Sequence, residues 1–259
     1  MAQESLIVGL HAVLAALRHE PHNLQGIWVE PQRRDARMQT LLEEAERRGI
    51  PVHPQTRTEL NRLSGGARHQ GVVARRTASP DGFHESELPA LLAAARHPAL
   101  LLVLDGVQDP HNLGACLRSA AAAGVHGVIA PADRAVGLTA TVRKVACGAA
   151  EMVPFVRVTN LARTLRTLQN QGLWIVGAAG EAKDSLYKID FTGPTVIVLG
   201  AEEKGLRRLT REVCDILARI PITGSVESLN VSVAAGIFLF EAVRQRRDKG
   251  IVSATEELS

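Results

Sequence analysis

A chain of 259 residues is long enough for one large domain or two modest ones, and either can bury a sizeable core. With 46% apolar and 22% charged residues it has the balance of a soluble globular protein, not of a disordered or membrane-embedded one. A formal charge of +3 and a pI of about 9.0 fit a polyanionic partner without requiring one, and 3% aromatic residues argue against a platform that stacks single-stranded bases.

The opening, "MAQESLIVGLHAVLAALRHE", has no basic leader, and its apolar part is too short to span a bilayer. Its spacing predicts a short strand, "LIVG", running into the amphipathic helix "LHAVLAALRH". "GIWVE" follows as a strand. "DARMQTLLEEAERRG" is a strongly amphipathic helix closed by Gly49. "IPVHPQ" is a strand with prolines near both ends, which suits a sheet edge. "TELNRLSGG" begins on a cap-like threonine, Thr58, and "QGVVARR" is the last strand of this group. Residues 1–76 thus read as a small α/β domain, and 77–99 as a linker opened by Pro, Gly, Ser and acidic residues.

From Leu100 the rhythm lengthens. Apolar strands are predicted at "LLLVL", "HGVIA", "LWIVGAA", "TVIVLG" and "ILARIPI". Helices are predicted over Leu113 to Ala123, Thr139 to Ala149, Asn160 to Asn170, Leu206 to Cys214 and Leu229 to Arg247. Continuous apolar strands alternating with helices mean a parallel sheet covered on both faces, with ligands past the strands' carboxyl ends. This second domain spans 100–247, and 248–259 reads as a frayed tail.

Three strand ends carry unusual polar and glycine content. In "DGVQDPHNLGACLRSA", Asn112 fits an N-cap, Gly114 permits a close approach, and Arg118 follows one turn later. That arginine either pairs with Asp105 or Asp109 or points at an anionic substrate. In "VIVLGAEEKGLRRL", Gly200 and Gly205 frame a turn holding Glu202 and Glu203. Such a turn either lets backbone meet a nucleoside or simply places acids at a helix start. In "RIPITGSVESLNVSVAAGIFLFEAVRQRR", a loop rich in hydrogen-bonding groups, Ser228 and Asn230 among them, precedes a helix apolar nearly all round. Its residues are caps or pocket groups, and the helix suits burial or a subunit interface.

Several chemistries find no support. Phosphate-loop, dinucleotide and nucleophile-elbow patterns are absent, so a nucleotide-dependent oxidoreductase is a weak reading. The nine histidines do not cluster at metal-ligand spacing, and no metal is expected. His69 and His111 read as turn residues. Cys116, Cys147 and Cys214 lack a disulfide pattern, which suits a reducing, cytoplasmic compartment. Cys116 sits near the polar cluster, but no histidine is placed by sequence to activate it. "RRG", "RRL" and "RQRRDK" are solvated helix faces or part of a nucleic-acid surface. From the residues alone the chain reads as an α/β enzyme binding a small cofactor, with the reaction left open.

At these loops the chain closely resembles the SpoU/TrmH family of RNA ribose 2′-O-methyltransferases, in the SPOUT superfamily. The matching stretches, "NLGACLRSA", "VLGAEEKGL" and "IPITGSVESLNVSVAAGIFLFE", occur in family order and spacing. The likeness covers roughly Leu100 to Arg247, and "GLHAV" and "HQGVVA" in front resemble the ribosomal-protein-like RNA-binding domain often fused to it. The resemblance implies a deep trefoil knot in the second domain and a homodimer through that region. It implies S-adenosyl-L-methionine as cofactor, held near Ala178, Ala179, Gly180, Gly200, Ala201, Glu202, Ile220, Ile222, Ser228 and Leu229. It makes Arg118, Asn112, Glu203, Ser228 and Asn230 the catalytic set, Arg118 as base or as clamp on phosphate and developing oxyanion charge. Glu203 is expected to hold the Arg118 fork, across the dimer if need be.

Along its whole length the chain looks like family members that methylate a guanosine in the peptidyl-transferase P loop of 23S rRNA, free or in an early assembly intermediate. Arg68, Arg75 and Arg76 are then candidate members of the RNA surface. The rival readings are a tRNA ribose 2′-O-methyltransferase and a non-enzymatic RNA-binding or ribosome-assembly protein.

Overall fold

The computed structural model describes residues 5–252 except 20, 22–23, 32, 34, 66–68, 77–81, 94, 96 and 203. The chain divides into two compact units, residues 1–82 with 147–152, and residues 83–146 with 153–259.

The first unit runs β1 (Ser5–Val8), α1 (Leu10–His19), β2 (Leu24–Val29), α2 (Ala36–Arg47), β3 (Val52–Pro54), α3 (Arg57–Leu63) and β4 (Val72–Arg76). Its sheet has the order β1-β4-β2-β3, antiparallel except for the β2–β3 pair. The proline-bracketed β3 takes the edge, where a missing N–H costs no ladder bond. Ile7, Ile27 and Ala74 from the sheet pack with Leu10, Val13 and Leu17 of α1 and Met38 and Leu41 of α2. Asp35 caps α2 by accepting from the amides of Arg37 and Met38. The cap of α3 is Thr56, accepting from the Glu59 amide at 3.2 Å, and not Thr58. Thr56 leaves the strand with the extended backbone a cap needs, which composition alone does not distinguish. His69 is buried and structural, accepting from the Gly71 amide at 3.1 Å and meeting Asn61 Oδ1 at 3.0 Å. Arg75 lies over the Trp28 ring, 5.1 Å from its centroid. Arg68 lies outside the described residues.

The second unit contains β5 (Phe83–His84), α4 (Leu88–Ala93), β6 (Leu100–Asp105), α5 (Pro110–Ala122), β7 (Gly127–Pro131) and α6 (Ala140–Ala146). A short α7 (Ala149–Met152) groups with the first unit. Then come β8 (Phe155–Val158), α8 (Leu161–Asn170), β9 (Trp174–Ala178), β10 (Asp184–Ser185), β11 (Thr195–Gly200), α9 (Arg208–Val213), β12 (Ile216–Arg219) and α10 (Val231–Asp248). All pairings are parallel, in the order β10-β12-β9-β11-β6-β7-β8-β5. Leu101, Val103, Val196 and Val198 share a cluster with Leu161, Leu165 and Leu168 of α8. The alternate residues of β11 face the other way, where α10 packs on β11 and on α5.

The expected strands are present, but β8 and the two-residue β5 and β10 were not among them. β8 is four residues long, too short to show a period, and it is recognisable as a strand only through its pairing with β7. Phe83 and His84, in the stretch read as linker, join the sheet beside Val156 and Arg157. The helix predicted over Thr139 to Ala149 is interrupted, because Cys147 and Gly148 take φ of 52° and 95°. Among the described residues no helix is long and apolar enough to cross a membrane.

The carboxyl half of α10 is pinned by a buried cation. Arg246 is 3% exposed and donates to the carbonyls of Pro98, Ala99, Phe191 and Gly193 at 2.7–3.2 Å. Burial pushes its guanidinium down to about 10, so it remains charged at neutral pH. Gln245 beside it accepts from the Phe191 amide and donates to the Ile189 carbonyl. Arg246→Met keeps the stem but removes the donor from the Pro98 and Phe191 carbonyls, while those of Ala99 and Gly193 keep the Thr195 amide and hydroxyl. The expected loss is about 1–3 kcal/mol, read as a lower urea midpoint at unchanged slope.

Candidate functional site

β11 lies between β6 and β9, although it follows both in sequence. The chain therefore builds outward from β6 through β7 and β8, then crosses to the other side for β9, β11 and β12. Carboxyl ends at such a reversal leave a crevice. A cavity of about 350 Å³ opens there, beyond β9, β11 and β12 and beneath the start of α10. That lies within the roughly 300–1,000 Å³ usual for small-molecule sites.

Ala178, Ala179 and Gly180 form its wall after β9, Gly200, Ala201 and Glu202 after β11, and Ile220 and Ile222 after β12. Ser228 and Leu229 close it before α10. Each residue expected to meet a cofactor thus borders this one space. Gly200 is required by packing. A Cβ there would sit 2.0 Å from the Gly205 carbonyl carbon and 2.3 Å from the Leu206 nitrogen. The chain doubles back through Gly205, at φ 60°, whose amide donates to the Ala201 carbonyl at 2.8 Å. Gly177 is equally confined, since its Cβ would fall 2.7 Å from Cys214 Sγ and Leu217 Cδ2.

One residue from each of the three loops meets in a polar triangle. Asn112 Nδ2 donates to Glu202 Oε1 at 2.9 Å. Asn230 Nδ2 donates to the same oxygen at 2.7 Å and to Asn112 Oδ1 at 3.0 Å. Asn230 Oδ1 accepts from the Ser232 amide at 2.9 Å and so caps α10. One Asn230 side chain therefore both caps α10 and joins the triangle.

Elsewhere the site differs from expectation. The N-cap of α5 is Asp109, with Pro110 in the first turn, and Asn112 is already helical. Proline suits that first position, so the cap moves three residues earlier. Asp105 pairs with Arg207, whose amide also donates to Asp105 Oδ2 at 2.9 Å. Neither Asp105 nor Asp109 engages Arg118. Arg118 is exposed on α5 and does not border the cavity, and its side chain makes no hydrogen bond or ion pair with a described residue. Glu203 lies outside the described residues, and Glu202 is the carboxylate that Asn112 and Asn230 hold. Ser228 borders the cavity without joining the triangle.

Sequence reasoning missed the Asp105–Arg207 tie and the Arg211–Glu181 pair at the cavity rim. An aspartate closing a wholly apolar strand was a signal, because a buried carboxylate demands a partner. The Arg211 guanidinium holds the Glu181 carboxyl below the usual carboxylate range.

Cys116 is fully buried, and burial, reinforced by the Glu202 charge, pushes its thiol up to about 12. Such a thiol supplies no thiolate at neutral pH. Cys116→Ala is expected to retain catalytic turnover within about two-fold, whereas loss of a covalent nucleophile would abolish it. Among the described residues no three His, Cys, Asp or Glu side chains are grouped to hold a metal ion.

The walls suit a small molecule with a flat base. Alanine and glycine positions let such a base approach the backbone, Leu199, Leu229 and Phe238 supply apolar contact, and Glu202 and Glu227 border the space together with Lys204, Arg211 and Arg219.

Comparison with known proteins agrees with this chemistry. Residues 99–240 match the SpoU rRNA methylase family, and residues 6–81 match the RNA 2′-O ribose methyltransferase substrate-binding family. The 23S rRNA (guanosine-2′-O-)-methyltransferase RlmB of Ralstonia nicotianae is 56% identical over 246 residues, covering 95% of this chain and 98% of the relative. RlmB of Pseudomonas aeruginosa is likewise 56% identical over 246 residues, with the same coverage of both chains. Among solved structures, the SpoU methyltransferase AviRb from Streptomyces viridochromogenes, in complex with AdoMet, superposes with a TM-score of 0.76 at 25% identity, covering 95% of this chain and 91% of that one. The TrmH/SpoU tRNA modifying enzyme of A. aeolicus reaches a TM-score of 0.56 at 31% identity over 66% of this chain and 91% of its own. With three strand-end loops joined around one cavity, and with both parts of its length matched, this chain belongs to the SpoU rRNA methylase family.

Proposed function

We propose that the protein transfers a methyl group from S-adenosyl-L-methionine to the ribose 2′-hydroxyl of a guanosine in 23S rRNA, in the peptidyl-transferase P loop. The observation that carries this is the triangle of Asn112, Glu202 and Asn230 beside the cavity, in a chain 56% identical to RlmB over nearly its whole length. Residues 100–247 are the methyltransferase domain. Residues 1–76 are a ribosomal-protein-like domain that selects RNA, and Arg75 lies on it.

Bound in the cavity, S-adenosylmethionine supplies a methyl group already activated on sulfur. The protein's work is then orientation and charge. Gly200, Ala201 and Leu229 hold the donor against backbone. The triangle locks the loops after β6 and β11 to the start of α10, so the donor and ribose sites share one rigid frame. Arg118 grips the phosphate beside the target ribose and stabilises the oxygen, whose proton passes to solvent water as the methyl group arrives. A guanidinium offers donors and no acceptor, so a clamp suits it better than a base. Glu203 and Ser228 complete the positioning set.

In one chain Arg118 stands outside the cavity, which favours a homodimer in which each Arg118 serves the other subunit's site. Val233 and Phe240, each 49% exposed on α10, are one helical face apart by seven residues and suit such a contact. The insertion of β11 between β6 and β9, with α10 returning onto α5, is compatible with the deep trefoil knot of this superfamily. A cytoplasmic site of action follows from the substrate.

Purified protein incubated with labelled donor and a 23S rRNA transcript should methylate one guanosine ribose, located by primer extension. A tRNA pool serves as the parallel substrate. Methylation of tRNA alone, or donor binding without transfer to either RNA, would overturn the assignment.

A further inference from the structure

A second cavity, of about 410 Å³, lies past the carboxyl ends of β7 and β8 and is closed by the start of α9. Three arginines border it, Arg134, Arg207 and Arg208, against one carboxylate, Asp133, among the described residues. Two of the arginines have internal duties. Arg207 pairs with buried Asp105, and Arg208 meets Glu212 one turn along α9. Arg134 makes no side-chain hydrogen bond or ion pair with a described residue.

Arg134 is also held in a costly conformation. Its φ is 58°, in the left-handed region that non-glycine residues avoid at about 1–2 kcal/mol. The segment is tied down on both sides. Gln108 Nε2 donates to the Arg134 carbonyl at 3.4 Å, and the Val136 amide donates to the Val107 carbonyl at 3.0 Å. The fold thus fixes the root of a long cation whose side chain pairs with no described residue, a pattern that marks ligand contacts.

The cavity's position says which ligand. Leu206 borders the donor cavity and Arg207, the next residue, borders this one. The loop between β11 and α9 is therefore a wall common to both. A polynucleotide whose ribose reaches over the donor cavity can run its backbone past this loop into the second cavity. Guanidinium groups match phosphate oxygens in geometry as well as charge. Leu161 and Ala162, the first two residues of α8, add the positive end of that helix to the same wall.

We propose that this second cavity binds a backbone phosphate of the RNA, at a nucleotide neighbouring the methylated one, with Arg134 as its principal cation and Arg208 assisting. The proposal rests on the RNA methyl-transfer reading, but its test reads RNA binding and not turnover.

The experiment measures affinity of the full chain for a labelled 23S rRNA fragment by fluorescence anisotropy across a salt series. Arg134→Asn is the informative variant, because asparagine tolerates the left-handed backbone. It should weaken RNA binding by about 5–10-fold and lower the slope of log affinity against log salt by about 0.7–0.9, the signature of one lost phosphate contact. Arg134→Lys should keep most of the slope. Arg166→Ala, which removes an exposed charge from α8 outside both cavities, should move it by less than half as much. Affinity for S-adenosylmethionine should be unchanged in all three, which also reports that they fold. An Arg134→Asn protein indistinguishable from Arg166→Ala overturns the subsite. So does an Arg134-dependent effect seen with inorganic phosphate but not with RNA. A wild-type protein that binds RNA yet transfers no methyl group would instead sink the catalytic assignment, leaving the salt slopes readable.

Discussion

Replacing Arg118 by alanine should leave S-adenosylmethionine affinity within about two-fold of wild type and lower methyl transfer by about 10²–10³-fold, the usual loss for one preorganised charge donor. Donor binding survives because Arg118 does not border the donor cavity. The fold survives because the side chain is exposed and makes no bond with a described residue. Arg118→Lys should recover only part of the rate, since an ammonium keeps the charge and loses the fork. Near-wild-type turnover in Arg118→Ala would remove this residue from the mechanism.

The second large effect is expected at Gly200. A methyl group there must displace the Gly205–Leu206 backbone, because the added Cβ would lie 2.0–2.3 Å from three of its atoms. Overpacking of this kind costs about 1–3 kcal/mol, and here the strain falls on the wall that shapes the donor cavity. Gly200→Ala should therefore weaken S-adenosylmethionine by about 10–100-fold in calorimetry. An unchanged dissociation constant would mean that the cavity beyond β11 is not the donor site.

The two variants together test the dimer. Neither should be active alone at limiting donor. If each Arg118 serves the partner's cavity, a mixed dimer of Arg118→Ala and Gly200→Ala subunits regains one complete site. Differently tagged subunits made together and assayed as a mixture should then reach about a quarter of wild-type turnover, half the dimers being mixed and each having one working site of two. If Arg118 acts within its own subunit, the mixture stays inactive.

Much of this architecture was legible locally. "LLLVL", "TVIVLG" and "HGVIA" are buried on both faces, so each reads as a continuous apolar run, the mark of a parallel strand. Gly200 and Asn230 announced themselves by residue type at strand and helix ends. What escaped depended on contacts distant in sequence. β8 is defined by its neighbours, and β5 by a pairing made 73 residues away, between Phe83 and Val156. The break at Cys147 hid because cysteine gives no warning of a left-handed backbone. Which carboxylate of "EEK" joins the asparagines is invisible to spacing, since consecutive residues in a turn point in directions set by the turn itself.

The amino-acid sequence by itself determined the alternation of strands and helices, the three polar strand ends and, through their motifs, the family. Those properties follow from side-chain chemistry and short-range periodicity. Only the tertiary structure decided that β11 enters between β6 and β9, that Asn112, Glu202 and Asn230 share one hydrogen-bonded triangle, and that Arg118 stands apart from the cavity it was expected to serve. Such facts are set by packing among residues about 30 to 120 positions apart, where burial and backbone closure choose among partners that local pattern leaves equivalent.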